Sequence, residues 1–157
     1  MPTEVKNADT VRDAMGQAAS NVLETMFFTM PEGDAAPELI APQETLCATV
    51  HFSGEWAGDF AVEAPLLAAR EIAANFSGAI DPSEVSEAQV SEVLSELANM
   101  VCGSTLSILD RDCLFDLGAP QVSTHVQAAA VPATVRALDL GNGTAIVFSL
   151  ASDAVAS

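Results

Sequence analysis

The stretch from Asp81 to Leu109 constrains the fold more than any other part of the chain. Val90, Val93, Leu94, Leu97, Val101 and Ile108 recur at helical spacing, which at about 100° per residue puts them on one side of a long helix. Glu92, Glu96, Asn99 and Gly103 are spaced by four, three and four. They form a second stripe, ~60° wide and well away from the apolar side. Asp81-Pro82-Ser83 supplies a start signal, so the helix is expected to run from there to about Leu109. Glu96 and Asn99 should then point to solvent together, one turn apart. A glycine inside a helix costs about 1 kcal/mol relative to alanine, so Gly103 asks for a reason. Either another backbone approaches closely there, or the helix packs on the chain's own sheet.

The rest of the chain supplies the partners of this rod. An earlier helix should start at Asp9-Thr10, with either residue as cap, and end near Met30, burying Val11, Met15, Ala18, Val22 and Met26. Pro31 breaks it, and a long acidic loop runs through Pro37 and Pro42. Residues 44–53 and 58–64 read as two strands joined by a turn over 53–58. Pro65 fits the first position of a second helix that ends at about Phe76, before Ser77-Gly78. After the long helix come a short extended piece near Cys113–Asp116 and strands at about 120–129, 132–140 and 143–151. The last two are joined by Gly141-Asn142-Gly143, a tight-hairpin signal. A helix followed by antiparallel strands thus occurs twice. The expected fold class is α/β (α+β), with a largely antiparallel sheet packed against long helices. Residues 1–9 are expected to fray, 10–151 to form a single domain and 152–157 to be a tail.

With 157 residues, half of them apolar, the chain can bury a real core as one domain. The 22 acidic residues against five basic ones leave a net charge of -17. That balance disfavours nucleic acid and anionic membrane as partners. It serves solubility, or attraction to a basic patch on another protein. Cys47, Cys102 and Cys113 form no Cys-x-x-Cys pair, which favours a reducing compartment and a role as small core residues. The N-terminus lacks the pattern of a signal peptide, and no run approaches about 20 apolar residues. A cytoplasmic location is expected. His51 and His125 lie in expected strands without companion ligands, so no metal site is expected. There is no nucleophile elbow and no phosphate-binding glycine loop. Trp56, at the hairpin tip, is given no role.

A Glu-x-x-Asn tetrapeptide alone is cheap, since Glu4-Val-Lys-Asn7 repeats it. Its context is more specific. Ser95-Glu-Leu-Ala-Asn-Met-Val-Cys-Gly103 resembles the Glu-x-x-Asn-(Met/Ile)-x-x-Gly signature of the CheC/CheX/FliY chemotaxis phosphatases. Pro120 follows about twenty residues on, where that family also places a proline, at a slightly shorter spacing than usual. His51-Phe-Ser-Gly-Glu-Trp-Ala-Gly-Asp-Phe60 is similar to the family's hairpin with paired glycines. Val22-Leu-Glu-Thr-Met-Phe-Phe28 is similar to the end of the first helix in CheX-like sequences. The ordered set spans about residues 10–151. The first helix lacks a second Glu-x-x-Asn, which resembles the CheX branch rather than CheC.

The resemblance implies a duplicated α/β unit, a homodimer, and hydrolysis of the aspartyl phosphate on a CheY-like response regulator. Asn99 would orient an in-line water, and Glu96 would pair with the regulator's active-site lysine. The chain would need no cofactor of its own, because the regulator brings Mg²⁺. Glu92 reads as a solvated helix residue that can assist docking, while Gly103 and Pro120 shape the docking face. Two alternatives remain open from the sequence. One is a binding module of the same fold that senses or sequesters a phosphorylated regulator without turnover. The other is a structural subunit that buries the stripe in an oligomer.

Overall fold

A computed structural model describes residues 6–36, 44–124, 133–141 and 143–156. The chain runs β1 (Lys6–Asn7), α1 (Ala8–Met26), β2 (Gly33–Asp34), β3 (Thr45–Gly54), β4 (Gly58–Pro65), α2 (Leu66–Ser77), a 3₁₀ turn (Pro82–Glu84), and α3 (Glu87–Leu109). There follow β5 (Phe115–Leu117), β6 (Gln121–Ser123), β7 (Ala133–Gly141), β8 (Thr144–Ala151) and β9 (Val155–Ala156). Seven of the described strands form one sheet in the order β2-β7-β8-β4-β3-β5, with β6 also on β3. Every pairing within it is antiparallel. The expected mixed α/β class with an antiparallel sheet is what forms.

Strand alternation decides which face carries the helices. Ala48, Val50 and Phe52 of β3, Phe60, Val62 and Ala64 of β4, and Ile146, Phe148 and Leu150 of β8 are all buried in the main core. They meet the apolar sides of the three helices. The paired glycines of the β3–β4 hairpin permit close approach. A Cβ at Gly58 would strike the Ala151 carbonyl oxygen, and one at Gly54 would lie 2.6 Å from the Leu114 carbonyl oxygen. At the hairpin tip Trp56 is buried, edge-on to Phe52 and Phe115.

Several boundaries differ from the sequence expectation. The side chain of Asn7, not Asp9 or Thr10, caps α1, accepting from the backbone N–H of Asp9 at 2.8 Å. That helix ends at Met26 rather than Met30, and Met26 is 45% exposed instead of buried. Pro65 stands one place earlier than expected, at the N-cap of α2. Asp81-Pro82-Ser83 starts only the 3₁₀ turn, and α3 begins anew at a Ser86 cap. Between them Val85 is extended and buried, and its carbonyl oxygen accepts from Arg70 Nη1. Ile108 at the end of α3 is part exposed rather than core. Of the strand expected at 120–129, residues 121–123 form β6, while residues 125–132, and with them His125, lie outside the described residues. The expected frayed start and tail instead contribute β1 and β9, which pair in parallel.

Candidate functional site

The polar stripe owes its rigidity to how α3 is held at both ends. At the start, Gln89 N–H donates to Ser86 Oγ at 3.2 Å and the Ser86 N–H donates to Gln89 Oε1 at 2.9 Å. This capping box satisfies two N–H groups that a helix start leaves open. At the other end Asp110 is the C-cap. A carboxylate there is disfavoured by the helix dipole, and two groups offset this. Lys6 Nζ donates to Oδ1 at 2.8 Å and Trp56 Nε1 donates to Oδ2 at 2.7 Å. Between the ends, Val90, Val93, Leu94, Leu97, Ala98, Val101, Cys102, Thr105 and Leu106 are buried. The Thr105 hydroxyl donates back to the Val101 carbonyl. Rotation of the helix about its axis would expose that whole face, so the opposite stripe has a fixed direction.

Glu92 and Glu96 are exposed, and Asn99 and Gly103 are half-buried. The structure therefore brings the four residues onto one accessible surface. Neither Glu96 nor Asn99 has a side-chain hydrogen-bond or ion-pair partner among the described residues. Three residues along a helix separate the two by about 4.5 Å in rise, so one ligand can meet both. Gly103 answers the question raised by its cost. A Cβ there would meet only Leu117 Cδ2, at 3.9 Å. Among the described residues no backbone outside the helix lies within 4 Å of that Cβ; the glycine leaves a flat place beyond Asn99. Pro120 is half-buried and stands between β5 and β6, two short strands that border α3.

The other border was not foreseen. Met26, Phe76, Val93 and Met100, with Glu92 and Glu96, line a hollow of about 280 Å³. Phe27 stacks on Phe76 at a ring-centroid distance of 4.9 Å. Phe28, 66% exposed, takes the left-handed conformation with φ 53°, a rare state for a bulky side chain. Two bonds hold it there. The Thr29 N–H donates to the Leu23 carbonyl at 2.9 Å, and Asn75 Nδ2 donates to Thr29 Oγ1 at 3.1 Å. Met30 is also largely exposed.

The remaining chemistry-bearing groups lie elsewhere. His51 Nδ1 is 3.0 Å from Asp59 Oδ1, its cross-strand neighbour, in an exposed pair. Burial pushes the Cys102 thiol up to about 12, and raises the Cys47 thiol and the Glu63 carboxyl. A thiol so raised is a poor nucleophile. No group of three or more His, Cys, Asp or Glu side chains able to hold a metal occurs among the described residues. No helix among them is long and apolar enough to cross a membrane. Arg12 and Arg136 face a second, smaller hollow, but both are engaged. Arg12 bonds Asp9 and the Val135 carbonyl, and Arg136 bonds Asp34 and packs on Gly16.

A family model described as chemotaxis phosphatase CheX matches residues 46–138, which is over half of the chain and includes all of α3. No curated protein matches the sequence. Among solved structures, a chemotaxis protein CheX from Vibrio vulnificus aligns with a TM-score of 0.71 at 18% identity, covering 90% of this chain and 95% of that one. A CheX–CheY–BeF₃–Mg²⁺ complex from Borrelia burgdorferi aligns at 0.69 and 18% identity, covering 88% and 95%. Thermotoga maritima FliY aligns at 0.63 and 14% identity, covering 93% and 87%. At these identities the structural likeness is one of fold.

Proposed function

The chain belongs to the CheX family of chemotaxis phosphatases, and from that premise we propose that it hydrolyses the aspartyl phosphate of a CheY-like response regulator. The observation that carries this reading is the placement of Glu96 and Asn99, exposed and half-buried on one stripe of a helix fixed at both ends. The aspartyl phosphate is an acyl phosphate with a carboxylate leaving group, so no general acid is required. The regulator supplies Mg²⁺ for charge on the phosphoryl oxygens. What remains is to hold a water in line.

The Asn99 carboxamide accepts and donates hydrogen bonds without titrating. Its carbonyl oxygen takes a proton bond from the water, whose oxygen attacks phosphorus. The bond from phosphorus to the aspartyl oxygen breaks, leaving the regulator's carboxylate and inorganic phosphate, and the water's proton ends on phosphate or solvent. Glu96 fixes the docking register by pairing with a lysine at the regulator's site. The flat place at Gly103 lets the regulator's backbone come close beyond Asn99, with Pro120 and Glu92 at the edges of the same face. Agreement with the B. burgdorferi relative, a complex with CheY, BeF₃ and Mg²⁺, supports this choice of partner.

One experiment tests both roles. Phosphate release from the source organism's phosphorylated response regulators is followed with the parent, Asn99→Ala and Glu96→Ala. Asn99→Ala should lower kcat about 100-fold, the scale lost when a reacting group is misplaced, with binding retained. Glu96→Ala should raise KM as well. Equal kcat for parent and Asn99→Ala would remove that residue from the reaction.

A further inference from the structure

We propose that the hollow beside Glu96 is a side-chain pocket for the response regulator, taking one apolar side chain of the partner that has a Lys or Arg next to it. This rests on reading the α3 stripe as the docking surface and adds what selects the partner. At about 280 Å³ the hollow lies just below the ~300–1,000 Å³ typical of small-molecule sites; it suits a single large side chain. Its floor is Met26, Phe76, Val93 and Met100, and methionine adapts to the shape it receives.

Two features tie it to the regulator rather than to another occupant. Glu96 belongs both to the hollow and to the stripe, so whatever fills the hollow sits within one helical turn of Asn99. The rim is formed by the exposed carboxylates of Glu92 and Glu96, with no Lys or Arg in the lining. A partner face that is apolar at its centre and basic at its edge complements that rim. A second copy of this chain, with its net charge of -17, would bring the same pair of carboxylates against them. The surface is also built rather than frayed. Phe28 is held left-handed at φ 53° by the bonds of Thr29 to Leu23 and Asn75. This keeps Phe28 exposed in the same segment as Met26 and Met30, where a monomer ordinarily covers such groups.

Binding is measured by calorimetry against the source organism's response-regulator receiver domains loaded with beryllium fluoride and Mg²⁺, and KM and kcat by phosphate release. Met26→Ala, at a side chain nearly half exposed, and Met26→Ala/Met100→Ala are compared with the parent. Circular dichroism checks the fold. The double variant should raise Kd and KM about ten-fold, the loss expected for an apolar anchor, with kcat within about two-fold; Met100→Leu should restore most of the affinity. Asn99→Ala is the separate arm, losing turnover at unchanged Kd. A parent that binds a loaded regulator without turnover would refute the phosphatase reading, while Kd would still judge the hollow. Unchanged Kd and KM in the double variant would overturn the proposal, as would a parent that binds none of the regulators. A change in the sedimentation of the protein alone would overturn it too, by identifying a second copy as the occupant.

Discussion

The two long helices stop in opposite ways. The C-terminal end of α3 is closed: Asp110 is held by Lys6 and Trp56, and the Trp56 ring packs against Phe52 and Phe115. The end of α1 is open: the chain turns through a left-handed Phe28, which with Met30 lies largely in solvent, and Met26 is nearly half exposed. Both ends are held by hydrogen bonds, so the contrast is not one of order against disorder. At the end of α3 the side chains satisfy one another, as stability demands. At the end of α1 apolar surface stays uncovered beside Glu96, and a strained residue keeps it there. Such a residue, fixed by its surroundings and placed at a proposed docking surface, is where function and stability part company.

Substitutions at the two ends would sharpen or break this contrast. The largest effect is expected from Trp56→Ala, which removes a buried aromatic and its bond to Asp110. Chemical denaturation should show a loss of about 3–5 kcal/mol, and a loss below about 1 kcal/mol would mean that the end of α3 is not closed in the sense described. Lys6→Met should cost less, about 1–2 kcal/mol, because the ion pair is only partly shielded from water; no change would show that Trp56 alone neutralises the unfavourable carboxylate. The smallest change, and one of opposite sign, is expected at the open end. Phe28→Gly should stabilise the protein by about 1 kcal/mol by relieving the left-handed strain, raising Tm by about 2–4 °C. A lower Tm would mean that the ring contributes more packing than its exposure suggests.

The contrast also explains what the sequence made legible. The stripe on α3 was readable because both of its faces obey one period within one element, and the structure places Glu92, Glu96, Asn99 and Gly103 as that period requires. The hairpins were readable from the glycines that flank their turns, Gly54 and Gly58 in one and Gly141 and Gly143 in the other. The start of α3 was misplaced because two cap signals, Asp81 and Ser86, stand five residues apart, and only the tertiary burial of Val85 and the Arg70 bond to its carbonyl decide between them. The hollow left no local signal at all. Its lining comes from three helices, and Met26 fits the period of the α1 core yet is left 45% exposed at the hollow. The ribbon of β1 and β9 likewise joins residues from opposite ends of the sequence.

That ribbon has a practical meaning for anyone who needs to hold the molecule in place. It pairs Lys6 with Val155 and Asn7 with Ala156 at the Asp110 end of α3, and fourteen residues of helix put Glu96 about 21 Å away along the axis. A dye or surface linker attached at position 156 therefore leaves the Lys6–Asp110 pair intact and sits roughly 20 Å from Glu96 along the axis, and an arriving protein can be watched from there.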